Sequence, residues 1–220
     1  MSKIKYKFFL ILIILFTFLG LGSTKAVAEE LRIAVASNFY PTMKKIVELY
    51  KSKKSISNSR NKIILIPGSS GKHFAQIING APFDVFFSAD EEKPKRLEKE
   101  GKIESNSRFT YAKGRLVLWS SMNGFIDLKG DILQQKNFKF LAIANPKIAP
   151  YGESAVETLR SLKLWKNIQD KVVRGENVSQ TFQFVSSGNA ELGFVAYSQI
   201  IKSDATTNGS FWLVPQSIYK

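Results

Sequence analysis

Short apolar runs alternate with longer amphipathic stretches from Leu31 to Pro215, and this alternation limits what the chain can fold into more than any single motif does. It is the pattern of an α/β chain, in which buried strands are joined by helices. Leu31 to Ala36, Lys62 to Pro67 and Val85 to Phe87 read as strands. Met43, Ile46, Val47 and Tyr50 recur at helical spacing, which predicts a helix over Tyr40 to Lys51. A short helix through Phe74, Ile77 and Ile78 and a charged one over Asp90 to Lys99 follow. Further along, strands are predicted over Arg115 to Ser120, Phe140 to Ala144, Glu191 to Tyr197 and Phe211 to Pro215, with helices over Gly152 to Leu162 and Gln180 to Ser186. Lys51 to Lys62 reads as a polar, basic loop, and no repeat recurs at a fixed period.

Ahead of this region stand three segments in the order of a secretory signal peptide. Met1 to Lys7 carries Lys3, Lys5 and Lys7, Phe8 to Leu21 is almost wholly apolar, and Ala26-Val27-Ala28 is a small-x-small cleavage site. The apolar run is short of the ~20 residues a spanning helix needs. Export with cleavage near Ala28 is therefore expected, with residues 1–28 as the signal. The formal charge of +14 loses four lysines with that segment, and 28 bases against 18 acids leave +10 on residues 29 to 220. These charges are spread through helices and loops rather than gathered with aromatics, so no nucleic-acid partner is expected. The chain has no cysteine, which excludes disulfides, thiolate metal sites, thiol nucleophiles and a lipid-anchored cysteine, and a single histidine, which excludes a multi-histidine metal centre.

A junction recurs in which a strand ends, small polar residues make a turn and a helix begins. It occurs at Ala36-Ser37-Asn38, at Pro67-Gly68-Ser69-Ser70-Gly71, at Ala149-Pro150-Tyr151-Gly152 and at Glu176-Asn177-Val178-Ser179. Helix starts carry unpaired N–H groups and the positive end of the dipole, and in an open α/β sheet such turns gather beyond the carboxyl ends of the strands. Each junction also fits an ordinary N-cap; together they point to an oxyanion.

Sharper motifs fail. A phosphate-binding P-loop needs Gly where Ile66 stands and Ser or Thr where His73 stands. Ser70 as a nucleophile lacks the Gly-x-Ser-x-Gly elbow and has only His73 nearby, on the face of a short helix. Asp90 fits a helix N-cap, and Asp84 and Glu92 fit turn or solvated positions, so no acid pair and no enzyme activity is assigned.

The residues Ala34-Val35-Ala36-Ser37-Asn38, Pro67-Gly68-Ser69-Ser70-Gly71-Lys72, the run from Gly80 to Asp90, Ala144-Asn145-Pro146 and Ala149-Pro150-Tyr151-Gly152 carry a resemblance, in order along the chain. The chain resembles the periplasmic molybdate-binding proteins of ABC importers. The resemblance implies the type II periplasmic binding protein fold: two α/β lobes joined by a hinge, with lobe 1 over 29–112, lobe 2 over 113–198, two crossings between them, and 199–220 as an incomplete return segment towards lobe 1. It also implies a monomer in the periplasm that binds molybdate or tungstate, needs no cofactor, and passes the ion to a membrane permease with its ATPase.

Matched position by position, the resemblance puts the ion on Ser37 with Asn38 beside it, on Ser70, on Tyr151 and on Val178, the last through its backbone N–H. Ser69, Ala196 and Tyr197 are additional candidates; the chain departs from the pattern after Gly193-Phe194-Val195, where Ala196 precedes Tyr197. The chemistry agrees. An unprotonated dianion offers acceptors only, so its pocket needs donors only, whereas phosphate carries a proton and wants an acceptor. Sulfate has the same shape and charge, and size must tell it apart. Members of the family usually continue past the equivalent of Trp212 to Pro215 with another strand and a final helix, so a shortened C-terminus is also expected. The competing readings are a binder of another oxyanion such as sulfate, a hydrolase on the same architecture, and a truncated, inactive homologue.

Overall fold

The computed structural model describes residues 30–53, 62–201 and 209–219. The expected signal segment and most of the expected polar loop, residues 54–61, lie outside the described residues.

The first lobe is built on three parallel strands, β1 (Glu30–Ala36), β2 (Lys62–Gly68) and β3 (Val85–Phe87), in the order β2-β1-β3. Helices α1 (Tyr40–Lys53), α2 (Ser70–Ile78) and α3 (Glu92–Lys99) follow the three strands in turn, as parallel pairing requires. The apolar run of the central strand, Ile33 to Ala36, is wholly buried, whereas that of β2 at the edge is only partly so. Pro67 lies in β2, an edge strand, where a missing N–H costs no ladder bond on the outer side. Only Ile33, Val35 and Met43 are fully buried in this lobe's apolar cluster, so its core is small.

The second lobe has five strands, in the order β6-β5-β7-β4-β8: β4 (Leu116–Ser120), β5 (Leu141–Ala144), β6 (Val172–Gly175), β7 (Leu192–Ala196) and β8 (Ser210–Leu213). Strand β5 runs parallel to β6 and β7, while β4 is antiparallel to both β7 and β8. Between them lie α4 (Ile132–Gln135), α5 (Pro150–Ser161), α6 (Trp165–Ile168), α7 (Val178–Ser186) and α8 (Tyr197–Ile200). Every residue of β4, β5 and β7 is buried, and Leu118, Trp119, Leu141, Ile143, Leu159 and Phe194 fill the main core.

The structure adds the short helices α4, α6 and α8, the last beginning at Tyr197 where a strand was expected, and two further features differ from the sequence reading. Strand β6 was not expected; it is four residues long and carries the exposed Arg174 between Val173 and Gly175. The segment expected to return to the first lobe instead places β8 against β4 of the second sheet, with Val214 N donating to Leu116 O and Trp212 packed over Gly130. Among the described residues, the chain therefore passes between the sheets once, ahead of β4.

The strand ends align in both lobes. Ala36 sits beside Gly68, and Ser37 N donates to Gly68 O at 2.9 Å; Ala144 sits beside Gly175, and Asn145 N donates to Gly175 O at 2.7 Å. These two levelled edges carry the turns of the recurring junction.

Candidate functional site

The two edges face each other across a narrow cleft. Its walls are Ala36, Ser37, Asn38, Gly68, Ser69, Ser70 and Ala89 from the first lobe and Ala149, Pro150, Tyr151, Asn177 and Val178 from the second. All four junctions therefore meet at one place, as the fold demands of turns that follow strand carboxyl ends.

The local sequence fixes each donor. Ser69 is the N-cap of α2 and accepts Lys72 N, while Asn177 caps α7 by accepting Ser179 N and Gln180 N at 3.0 and 3.1 Å. The amides of Ser70 and Val178 open those helices, where no carbonyl lies four residues back within the helix to accept them. Pro150 begins α5 and has no N–H, so the first amide that helix offers is that of Tyr151. Ser70 Oγ accepts Ala89 N at 2.9 Å, which leaves its O–H to donate. Ser37 is buried, its carbonyl accepts from Ser179 Oγ at 3.2 Å, and its own Oγ has no partner among the described residues.

Among the described residues, no Asp, Glu, Lys or Arg lines the cleft. At the rim, Lys72 Nζ and Glu176 Oε1 pair at 2.7 Å, so the nearest opposite charges offset each other. Burial pushes the Tyr151 hydroxyl well above the ordinary phenol range, with the nearby Tyr219 and Tyr111 adding to it. It stays protonated, and the hydrogen bond from the Asn38 side chain leaves its O–H available. Tyr111, pushed up to about 12 by burial and by Asp90, is committed to Ser88 O at 2.6 Å. The cleft thus offers hydroxyls and amides at the positive ends of helices, which suits a small ion that only accepts hydrogen bonds.

Ser37, Asn38, Ser69, Ser70, Tyr151 and Val178 stand together on the cleft. Ala196 and Tyr197 do not. Ala196 is fully buried with its amide on Gln199 Oε1, and Tyr197 donates its amide to Arg115 O and turns its ring to Phe211. Sequence reasoning missed Asn177 as a wall residue and Ala89 as the partner that orients Ser70; the first had a signal as an N-cap, the second had none. His73 is buried under the cleft, against Phe83 and Phe86, and bonds Gln76 rather than Ser70, so no nucleophile is assembled. Asp90 accepts Lys93 N at 3.0 Å and pairs with Lys93 Nζ, which is the capping role expected of it. Among the described residues no group of acidic or histidine side chains is placed to hold a metal ion.

Two α/β lobes whose strand ends close over an uncharged, donor-lined cleft define a two-lobed solute-binding protein. Residues 31–220 match the bacterial extracellular solute-binding protein family, and the chain belongs to it. The molybdate-binding protein ModA of Azotobacter vinelandii is 46% identical over 201 residues, which are 91% of this chain and 78% of that protein. ModA of Rhodobacter capsulatus is 42% identical over 195 residues, 89% of this chain and 74% of the relative. The solved periplasmic molybdate-binding protein of Azotobacter vinelandii superposes with a TM-score of 0.81 at 39% identity, covering 86% of this chain and 81% of the other. These relatives are binding proteins, not enzymes.

Proposed function

We propose that this protein captures molybdate, and tungstate with it, in the periplasm and delivers the ion to an ABC import permease with its ATPase, acting as a monomer. The observation that carries the reading is the lining of the cleft: several hydroxyl and amide donors, with no charged side chain among the described residues there. A fully deprotonated tetrahedral dianion satisfies all of these donors, whereas hydrogen phosphate brings a proton that finds no carboxylate to accept it. Ser37, Ser70 and Tyr151 contribute hydroxyls, Tyr151 and Val178 amides, Asn38 orients Tyr151, and Ser69 adds a further donor. The identity of the relatives supports molybdate over other ions of this shape.

Calorimetric titration of the exported chain with molybdate, tungstate, sulfate and phosphate tests this. Tight binding of the first two and none of the last two is expected. Equal response to sulfate overturns the selectivity, and no response to any ion overturns the function.

A further inference from the structure

Gly71 meets a requirement that its own helix does not impose. It is the second residue of α2 and is not among the glycines with positive φ, so the backbone there accepts any residue. Within a helix, alanine is preferred to glycine by about 1 kcal/mol. What position 71 needs is the absence of a side chain. Gly71 N donates to Ile148 O of the other lobe at 2.8 Å, and a Cβ on residue 71 would lie 2.6 Å from that oxygen and 2.8 Å from Ile148 Cα. Those are backbone atoms and cannot swing aside. Their turn is itself held, Ile148 N and Ala149 N both donating to Asn145 O at 3.1 and 2.9 Å. Side-chain carbons essentially never approach closer than 3.0 Å, so a methyl group here would lengthen this contact by at least 0.4 Å and hold the lobes further apart at this point.

Two further bonds cross the same seam. Lys72 Nζ pairs with Glu176 Oε1 at 2.7 Å, and Ser179 Oγ donates to Ser37 O at 3.2 Å. The adjacent residues Gly71 and Lys72 thus touch both junctions of the second lobe, one through its backbone and one through its charge.

We propose that Gly71 is the residue that sets how far the lobes close, with the Lys72–Glu176 pair as a clasp beside it. Position 71 fixes the spacing between the Ser70 and Val178 amides across the cleft, and so the size of ion the closed cavity fits. The inference rests on the reading of a protein that closes over its ligand, though not on which ion that is.

The Gly71 amide gives a direct readout. As the second amide of a helix it has no intrahelical acceptor, so its protection from hydrogen exchange reports the cross-lobe bond to Ile148. Exchange measured by NMR on the full chain should show the residue-71 amide protected, and Gly71→Ala should lower that protection roughly tenfold, the scale of one hydrogen bond, while later α2 amides stay as slow as before. Glu176→Gln, which leaves α2 untouched, should lower it several-fold and remove its dependence on salt. A free-peptide exchange rate at Gly71 in the parent, with and without molybdate, overturns the proposal. Unchanged protection in Gly71→Ala does so too. Added molybdate that deepens protection in the parent supports both readings; if no ion changes it, yet Gly71→Ala still lowers it about tenfold, the closure role stands and molybdate capture fails.

Discussion

The hydroxyl of Tyr151 occupies the space that a side chain on Gly114 would take. Gly114 lies in the strand-free stretch that leads from the first lobe into β4, so the connection between the lobes is shaped around a ring that reaches the cleft. Gly114→Ala should push that ring aside and weaken ion binding by roughly tenfold or more, the scale of one displaced polar contact. Tyr151→Phe should cost a similar factor. Because both act through one hydroxyl, the double variant should bind no worse than Tyr151→Phe alone, whereas additive losses in calorimetry would assign Gly114 a separate role.

Ser37 and Ser70 are both buried on the cleft but differ in what else they do. Ser70 Oγ satisfies the Ala89 amide, while Ser37 Oγ has no partner among the described residues. Ser70→Ala should therefore lower stability by about 1–3 kcal/mol, the cost of an unpaired buried amide, and Ser37→Ala should leave it almost unchanged. Both should impair binding, and together they should abolish it with the circular dichroism retained. Chemical denaturation and calorimetry on the two single variants separate these outcomes; equal stability losses would refute the assigned geometry.

How far the sequence disclosed these arrangements depends on how local each one is. The strands β1, β4, β5 and β7 are legible because each is an apolar run buried on both faces, and α1 because its apolar residues keep helical spacing. Strand β6 is not, since four residues with Arg174 between valine and glycine make no period. The junctions were legible as helix starts, and the strand-end rule then gathers them into one cleft. The approach of Gly71 to Ile148, of Gly114 to Tyr151 and of Ala89 to Ser70 was not, because each joins residues distant in sequence and shows only as a small residue in a turn or helix. Ala196 and Tyr197 follow the same logic: β7 ends close to the cleft in sequence terms, but the turn into α8 spends the Ala196 amide on Gln199.

His73 makes stability depend on pH in a range where no other side chain of the described residues ordinarily titrates. Burial holds its pKa below the ordinary 6.5, outweighing the hydrogen bond that Nδ1–H donates to Gln76 Oε1. In the unfolded chain the ring takes up a proton near 6.5 that the folded chain refuses, so the unfolded state binds more protons below that point. Stability is accordingly full above pH 6.5 and is lost as pH falls from there towards the folded value. The thermal midpoint should drop between pH 7.5 and 5.5, and His73→Leu should flatten the slope over that interval. An unchanged slope in His73→Leu would place the effect elsewhere.

The first lobe leaves apolar surface in water. Beside the outer edge of β3 runs a groove of about 980 Å³ whose walls include Phe83, Val85, Phe87, Leu97, Phe109 and Tyr111. Phe109 is 74% exposed and Val85 39%, and among the described residues no strand pairs with β3 on that side. Exposed apolar side chains next to an unpaired strand edge attract apolar solutes and other chains. The folded protein should therefore bind an environment-sensitive hydrophobic dye and associate as its concentration rises. Phe109→Ser should reduce dye binding several-fold, and Val85→Lys, which places a charge on the strand edge, should reduce light scattering at high concentration. Both positions are open to solvent, so each change should move stability by no more than about 0.5 kcal/mol. Neither residue is in the walls of the cleft, and ion affinity should stay as it was. Dye binding that is equal in Phe109→Ser and the parent would show that the exposed surface is not this groove.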